Sequence, residues 1–300
     1  MVKEKWDGTP HYISMLIRIA HSPDADDAFM FYPLTAGILD TEGLQIEHVL
    51  ADIQTLNEHA MKGTYEVSAV SFHVYPYISD KYLVLTSGGS VGDGYGPLVV
   101  AKEGLKSLKG EKVAVPGLLT TAYLVLKLYE PEIEPVVYPF DQVLDAVLSG
   151  QVKAGLVIHE GQLGYKDKGL LKLVDLGEWW KFQTGLPLPL GCNVVRKDLG
   201  DEVIRKIERL MKKSVEYALS HREEALSFAI KYARDIKEDR AKVDKFVSMY
   251  VNQRTLDYGE DGRRAVRLLL DLGYKQGIIK VPPPKVIFSD EVVQTQGEAE

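Results

Sequence analysis

The sequence predicts a two-lobed α/β protein in which each lobe is a mainly parallel β-sheet flanked by helices and two hinge segments join the lobes. Short apolar, strand-like runs alternate with amphipathic helical runs in two separate stretches of the chain, a pattern typical of parallel sheets covered on both faces. In addition, residues 94–102 and 187–197 each combine glycine and proline with a β-branched run. We interpret these two segments as crossings between the lobes.

The first stretch of alternating elements begins near residue 16. It is predicted to contain, in order, a strand at residues 16–20, a helix from about residue 26 to 36, a strand at 43–52, a helix at 53–63 and a buried strand at 65–71. Gly63 suits the end of its helix, because glycine readily adopts the left-handed conformation of a helix C-terminus.

The second stretch begins at residue 112 and repeats the same order of strands and helices. It is predicted to contain a strand at residues 112–116, a helix at 121–130, a strand at 135–139, a helix ending on Gly150 and a buried strand at 153–158. Ligands bind at the carboxyl ends of such strands. Loops 21–27, 71–75, 117–122 and 159–161 are therefore expected to face one cleft.

The two crossings divide the chain into lobes. We expect a first lobe formed by residues 15–98 and 196–300, a second lobe formed by residues 99–195, and an N-terminal extension of residues 1–14. The amphipathic helical residues after 197 follow the return crossing, so they are assigned to the first lobe.

Composition and charge exclude several classes of partner. The 300 residues are 45% hydrophobic and carry a formal net charge of -7 with no block of like charge, which argues against nucleic acid or an anionic membrane as partner. Cys192 is the single cysteine, so no intrachain disulfide is possible. The apolar run near the start is too short for a signal peptide or a membrane span. We expect a cytoplasmic protein that binds a small molecule.

His159 is the strongest candidate for chemistry. It follows the buried strand 153–158 and should lie at the mouth of the cleft, where a histidine suits general base work because its ordinary pKa is near neutrality. The alternative is a hydrogen-bonded histidine that only ends a strand. Glu160, beside it, is placed to orient the ring or to hold charge nearby.

The acidic segment HSPDADDAF allows two interpretations. Its aspartates are hard-cation ligands, but no second acidic segment supplies the remaining ligands of a metal. The preferred interpretation is a helix start capped by Ser22, Asp24 or Asp26, because a helix N-terminus favours such side chains. In the matching loop of the second lobe, Thr120 and Thr121 suit either helix capping or the binding of an anion.

Several segments in combination resemble the 1,4-dihydroxy-6-naphthoate synthase family of the futalosine route to menaquinone. The segments are HSPDADDAFMFYPL, DIQTLNEHAMKGTYEVSAVSFHVYP, GDGYGP, GLLTTAYL, AGLVIHEGQ and DLGEWW with TGLPLPLG. The resemblance implies a type II periplasmic-binding-protein-like fold and a carbon–carbon lyase. Its substrate would be cyclic dehypoxanthine futalosine and its product 1,4-dihydroxy-6-naphthoate.

The same resemblance implies roles for individual residues and no cofactor or metal. His159 would be the general base. Val70 and Ser71 of the SAVS segment, with Thr120 and Thr121, would bind the substrate through its carboxylate and hydroxyls. Ser22 and Asp24 would help to form the pocket, and the sequence leaves open which of the three aspartates of the segment contacts substrate.

Two other functions are compatible with the expected fold. One is the solute-binding protein of a transporter, in which His159 only hydrogen-bonds a ligand; the lack of a signal peptide or lipid-attachment cysteine argues against it. The other is the related chorismate dehydratase of the same pathway, against which AGLVIHEGQ and DLGEWW favour the synthase.

Overall fold

The computed structural model describes residues 15–234 and 236–292. The predicted extension at residues 1–14 lies outside the described residues. No helix in the described part of the chain is long and apolar enough to cross a membrane.

Two β-sheets form the framework. Their strands are β1 (Leu16–His21), β2 (Gln45–Leu50), β3 (Val67–Ser71), β4 (Tyr82–Val84), β5 (Ser90–Gly92), β6 (Leu98–Ala101), β7 (Lys112–Val115), β8 (Glu134–Val137), β9 (Ala154–Val157), β10 (Leu171–Asp175) and β11 (Leu188–Arg196).

The first sheet has the order β2-β1-β3-β11-β4, and β5 also pairs with β11. β1 is parallel to β2 and to β3, whereas β11 runs antiparallel to β3, β4 and β5. The second sheet has the order β10-β6-β9-β7-β8, with β7 parallel to its two neighbours and β6 antiparallel to its own. The parallel part of each sheet comes from the predicted strand–helix units, and every antiparallel pair given above includes β6 or β11, the strands of the crossing segments.

Helices cover both sheets. They are α1 (Ala25–Thr35), α2 (Ile53–Met61), α3 (Tyr75–Ile78), α4 (Thr121–Tyr129), α5 (Val143–Leu148), α6 (Gly161–Gly164), α7 (Leu176–Thr184), α8 (Asp201–Ser220), α9 (Arg222–Ala229), α10 (Arg240–Tyr250), α11 (Gln253–Leu256) and α12 (Gly259–Lys275).

The C-terminal helices pack where the amphipathic pattern predicted. α8, α9 and α10 contact α1 and bury an apolar stripe in a core that includes Ile17, Phe29, Val215 and Phe246. A second core continues between the sheets and contains Val70 together with Val115 and Leu188. The two sheets are thus held by continuous apolar packing, and their strand ends meet at one cleft.

The chain passes between the two sheets within the crossing segments. β6 begins at Leu98 in the second sheet, and β11 is hydrogen-bonded in the first sheet from Leu188 onward. The return to the first sheet therefore occurs before residue 196, where the sequence placed the boundary. The division into two lobes itself stays a prediction.

One crossing depends on a close backbone approach. Gly177, at the start of α7, lies so near the chain at Tyr95 that a Cβ on Gly177 would stand 2.0 Å from the Tyr95 carbonyl carbon. The neighbouring Leu176 amide donates to the Pro97 carbonyl at 2.9 Å. This contact holds the first crossing against the helix.

Replacing Gly177 with alanine is expected to lower the free energy of unfolding by about 1–3 kcal/mol, because backbone must move to admit the methyl group. Denaturant unfolding would measure the loss. Gly164→Ala is the matched control, since a Cβ at Gly164 meets nothing within 4 Å. Equal stability of the two variants would contradict this account of the crossing.

Candidate functional site

A cavity lies where the strand ends of the two sheets meet. Its volume is about 810 Å³, including the space at its mouth that is open to solvent. It is lined by Ser22, Asp24, Asp26, Asp27, Ile53, Ala69, Val70, Ser71, Gly88, Ser90, Pro97, Thr120, Thr121, Ala122, Ile158, Leu190, Gly191, Cys192, Asn193, Phe246 and Tyr250.

Most of the residues singled out from the sequence line this cavity. Ser22, Asp24, Val70, Ser71, Thr120 and Thr121 are all in its wall. His159 is the exception: its neighbour Ile158 lines the cavity, while the imidazole is packed just behind the wall and is 6% exposed. The structure thus brings three of the four predicted loops together and places the histidine beside them.

The threonine loop is built on a capped helix. Thr120 is the N-cap of α4, and its hydroxyl accepts from the Tyr123 amide at 3.2 Å and donates to the Gly117 carbonyl at 2.9 Å. The Thr121 hydroxyl donates to the Leu190 carbonyl of β11 at 2.6 Å and accepts from the His73 amide at 3.2 Å. Helix capping is therefore real, and the same loop presents the positive end of the α4 dipole to the cavity.

A buried asparagine that sequence reasoning missed fixes both Ser71 and this loop. Asn57 of α2 accepts from the Ser71 amide at 2.8 Å and donates to the Ser71 hydroxyl at 3.0 Å. Its amide nitrogen also donates to the Leu119 carbonyl at 3.2 Å. The helical spacing contained a signal, because Leu56 and Ala60 define the buried face and Asn57 falls within it.

The acidic segment forms the opposite wall. Asp27 accepts from the Ser22 amide at 2.7 Å, and Asp24 accepts from the Ser22 hydroxyl at 2.9 Å. Asp24 is the N-cap of α1 by position, yet its side chain makes no capping bond. Of the three residues offered as the cap, Asp24 therefore does not cap the helix: its carboxylate accepts from Ser22 and lies 3.5 Å from the Arg234 guanidinium.

Burial controls the protonation of these carboxyl groups. Burial raises the pKa of Asp27 to about 7. The hydrogen bond from the Ser22 amide lowers this pKa, whereas the negative charge of Asp24 raises it further. Burial and the charges of Asp27, Asp24 and Glu160 raise the pKa of Asp26 well above its usual range. Among the described residues, no group of three or more His, Cys, Asp or Glu side chains is arranged to hold a metal ion.

His159 has both ring nitrogens near backbone groups. Nε2 lies 3.0 Å from the Phe140 carbonyl, and Nδ1 accepts from the Gly161 amide at 3.1 Å. These bonds assign the proton to Nε2 and the basic lone pair to Nδ1. Nδ1 also lies 3.8 Å from the Glu160 carboxylate.

Other wall residues come from distant parts of the chain. Tyr250 of α10 lines the cavity, and its hydroxyl donates to Gln162 of α6 at 2.7 Å. Asn193 of β11 donates to the Gly88 carbonyl at 2.9 Å. Local sequence patterns contain no signal for these residues, because their place in the wall depends on contacts between segments 88 and 105 residues apart.

The fold and cavity define a class: a two-sheet α/β protein with a cavity between its sheets. A ligand-binding component of an ABC-type import system from Staphylococcus aureus, solved with zinc bound, has the same fold, with a TM-score of 0.70 at 12% identity, covering 92% of this chain and 97% of that chain. The alkanesulfonate-binding protein SsuA from Xanthomonas axonopodis pv. citri is similar, with a TM-score of 0.64 at 13% identity, covering 92% and 96% of the two chains.

Closer relatives identify the family. A family model described as menaquinone biosynthesis matches residues 17–275. The 1,4-dihydroxy-6-naphtoate synthase of Thermus thermophilus is 42% identical over 272 residues, covering 91% of this chain and 98% of the relative. That of Streptomyces coelicolor is 37% identical over 278 residues, covering 90% and 97%. The chain belongs to this menaquinone biosynthesis family, which confirms the resemblance seen in the sequence.

A solved structure has the same fold. Protein AF1704 from Archaeoglobus fulgidus is 48% identical and superposes with a TM-score of 0.85, covering 88% of this chain and 98% of that chain.

Asn57→Ala is expected to lower the free energy of unfolding by about 1–3 kcal/mol and to weaken ligand binding, because it leaves buried groups of Ser71 and Leu119 without partners. Denaturant unfolding and calorimetric titration would measure the two effects. Glu58→Ala, an exposed change on the same helix, is the control and should alter stability by less than about 0.5 kcal/mol. Wild-type stability of the Asn57 variant would show that the network contributes nothing.

The raised pKa of Asp27 predicts a specific pH dependence. The folded protein holds this proton up to about pH 7, whereas the unfolded chain releases it near pH 4, so ionisation of Asp27 costs stability as the pH rises through that window. Asp27→Asn removes the cost and keeps an acceptor for the Ser22 amide. The stability of this variant relative to wild type should therefore rise between about pH 4 and pH 7, measured by denaturant unfolding. A flat difference for Asp27→Asn over this range would refute the assignment.

Proposed function

We propose that the protein is a 1,4-dihydroxy-6-naphthoate synthase of the futalosine route to menaquinone. In this reaction cyclic dehypoxanthine futalosine is cleaved by a lyase to 1,4-dihydroxy-6-naphthoate with loss of the sugar-derived fragment. The observation that carries the proposal is the 42% identity to the Thermus thermophilus synthase, which extends over 91% of this chain. The binding proteins of similar fold are 12–13% identical and support the fold alone.

The two walls of the cavity suit the two ends of such a substrate. The aromatic carboxylate lies against Ser71, Thr120 and Thr121, where the N-terminus of α4 favours negative charge. Ser22 and the carboxyl groups of Asp24, Asp26 and Asp27 offer oxygens that accept hydrogen bonds from hydroxyls, so the sugar-derived end lies against them. Val70 supplies apolar wall between the two ends.

His159 is the proposed general base. Its Nε2 is held by the Phe140 carbonyl, so Nδ1 carries the lone pair that accepts a proton from the substrate. Proton transfer requires Nδ1 to exchange its bond with the Gly161 amide for one with the substrate. Removal of this proton starts the elimination that makes the new ring aromatic.

The proposed setting is the cytoplasm, with a small carboxylate as the binding partner and with neither nucleic acid nor membrane as a partner. The net charge of -7 supports this part of the proposal, because a protein that tracks phosphate backbones or anionic lipid is usually basic.

The proposal is tested by supplying purified protein with cyclic dehypoxanthine futalosine and measuring dihydroxynaphthoate by chromatography. His159→Ala should lower kcat by about 10²–10⁴-fold while substrate still binds, because the variant lacks only the base. His221→Ala, which removes an exposed histidine stacked on Tyr217, is the control and should keep wild-type rates.

Two results would contradict different parts of the proposal. A His159→Ala variant with wild-type turnover would refute the base assignment alone. If the wild-type protein binds the substrate without converting it, the assignment as a lyase is refuted and the alternative function as a solute-binding protein is favoured.

A further inference from the structure

Glu160 connects the two sheets through a fully buried carboxylate. It follows β9 of the second sheet, and its side chain reaches the start of α1, which follows β1 of the first sheet. Oε1 accepts a hydrogen bond from the Ala25 amide at 3.2 Å, between residues 135 positions apart in the chain. Its 0% exposure means that this charge has left water for a contact across the cleft.

This bond gives the Ala25 amide, at the start of α1, a hydrogen-bond acceptor. The first amides of a helix need acceptors from outside it, and α1 receives no capping bond from Asp24, its own N-cap residue. Glu160 supplies an acceptor from the other sheet, and the positive end of the α1 dipole favours its negative charge. The Ala25 amide therefore takes its side-chain acceptor from the other sheet.

The other carboxylate oxygen faces the proposed base. Oε2 has no hydrogen-bond partner, although it is buried. It lies 3.8 Å from His159 Nδ1, the nitrogen that takes up the proton in the proposed reaction. An opposite charge at this distance favours the protonated imidazole.

We propose that Glu160 is a positioning residue of the reaction, which caps α1 through Oε1 and stabilises the protonated His159 through Oε2. The proposal rests on the proposed function for the identity of the base. The proposal implies that the contact between the sheets and the stabilisation of protonated His159 form together, because a single carboxylate makes both contacts.

Charged groups from two segments act on this carboxylate. Asp24 and Asp26 lie at the start of α1, next to Asp27, and Arg234 lies in the segment that precedes α10. Burial, followed by the charge of Asp24, raises the pKa of Glu160 to about 7, and the Arg234 charge opposes this rise. Both the ionised and the neutral form of Glu160 are therefore populated near neutral pH.

Three variants separate the two contacts. Glu160→Gln keeps an acceptor for the Ala25 amide and removes the charge beside His159, so kcat should fall about tenfold or more with KM within about twofold of wild type. Glu160→Ala also removes the cap, so KM should rise as well. Asp167→Asn breaks the exposed ion pair between Asp167 and Lys242 and is the matched control. Its kcat and KM should both stay within about twofold of wild type.

A second readout does not depend on turnover. The imidazole of His159 is titrated by NMR and assigned with His159→Ala; in Glu160→Gln the ring should protonate at lower pH than in wild type. Unchanged titration, or an unchanged kcat in Glu160→Gln, overturns the proposal and leaves Glu160 a structural cap. If wild type fails to turn over the substrate, the proposed function fails, and the titration by itself decides whether Glu160 stabilises the protonated ring.

Discussion

The pairing of β11 with β3 is the constraint on which the rest of the site depends. It sets Gly191 opposite Ser71 and Cys192 opposite Val70, so the return crossing becomes the floor of the cavity. The same strand offers its Leu190 carbonyl to the Thr121 hydroxyl, which ties the first helix of the second sheet to the first sheet. A change of one residue in this register would turn the side chains of the floor away from the cavity.

The cavity wall separates two kinds of electrostatic environment. On one side, helix α4 and the Ser71–Asn57 network favour an anion. On the other side, the aspartates of α1 share a buried, poorly solvated region in which they cannot all be ionised at neutral pH. This difference supports the proposed orientation of the substrate, with its carboxylate on the first side and its hydroxyls on the second.

The architecture resembles that of binding proteins, and the proposed chemistry needs little beyond it. Here the residues that hold the two sheets together, including Glu160 and Gln162, adjoin the proposed base. Exclusion of water around the reacting carbon strengthens each polar contact that acts on it. The contacts that hold the two sheets together would then also act on the proposed base.

How much could be predicted from the sequence differs between the fold and the site. Apolar periodicity and glycine helix ends located the strand–helix units, and the order of these units indicated which loops share an edge, because parallel strands align their carboxyl ends. That reasoning placed the loops of Ser22, Ser71, Thr120 and Thr121 at one cleft, and these residues line the cavity. Val70, which also lines it, and the family itself came from the resemblance of short segments to known proteins.

By itself, then, the sequence determined the alternating architecture, the loops that form the site and the family, since all of these follow from local periodicity and short motifs. Only the tertiary structure decided that Asp24 turns away from its helix, that Glu160 caps α1 in its place, and that His159 lies behind the wall with Nδ1 as its basic nitrogen. The physical reason is that buried polar groups take whichever partner the packing brings within reach, and here the partner of the Ala25 amide is 135 residues away.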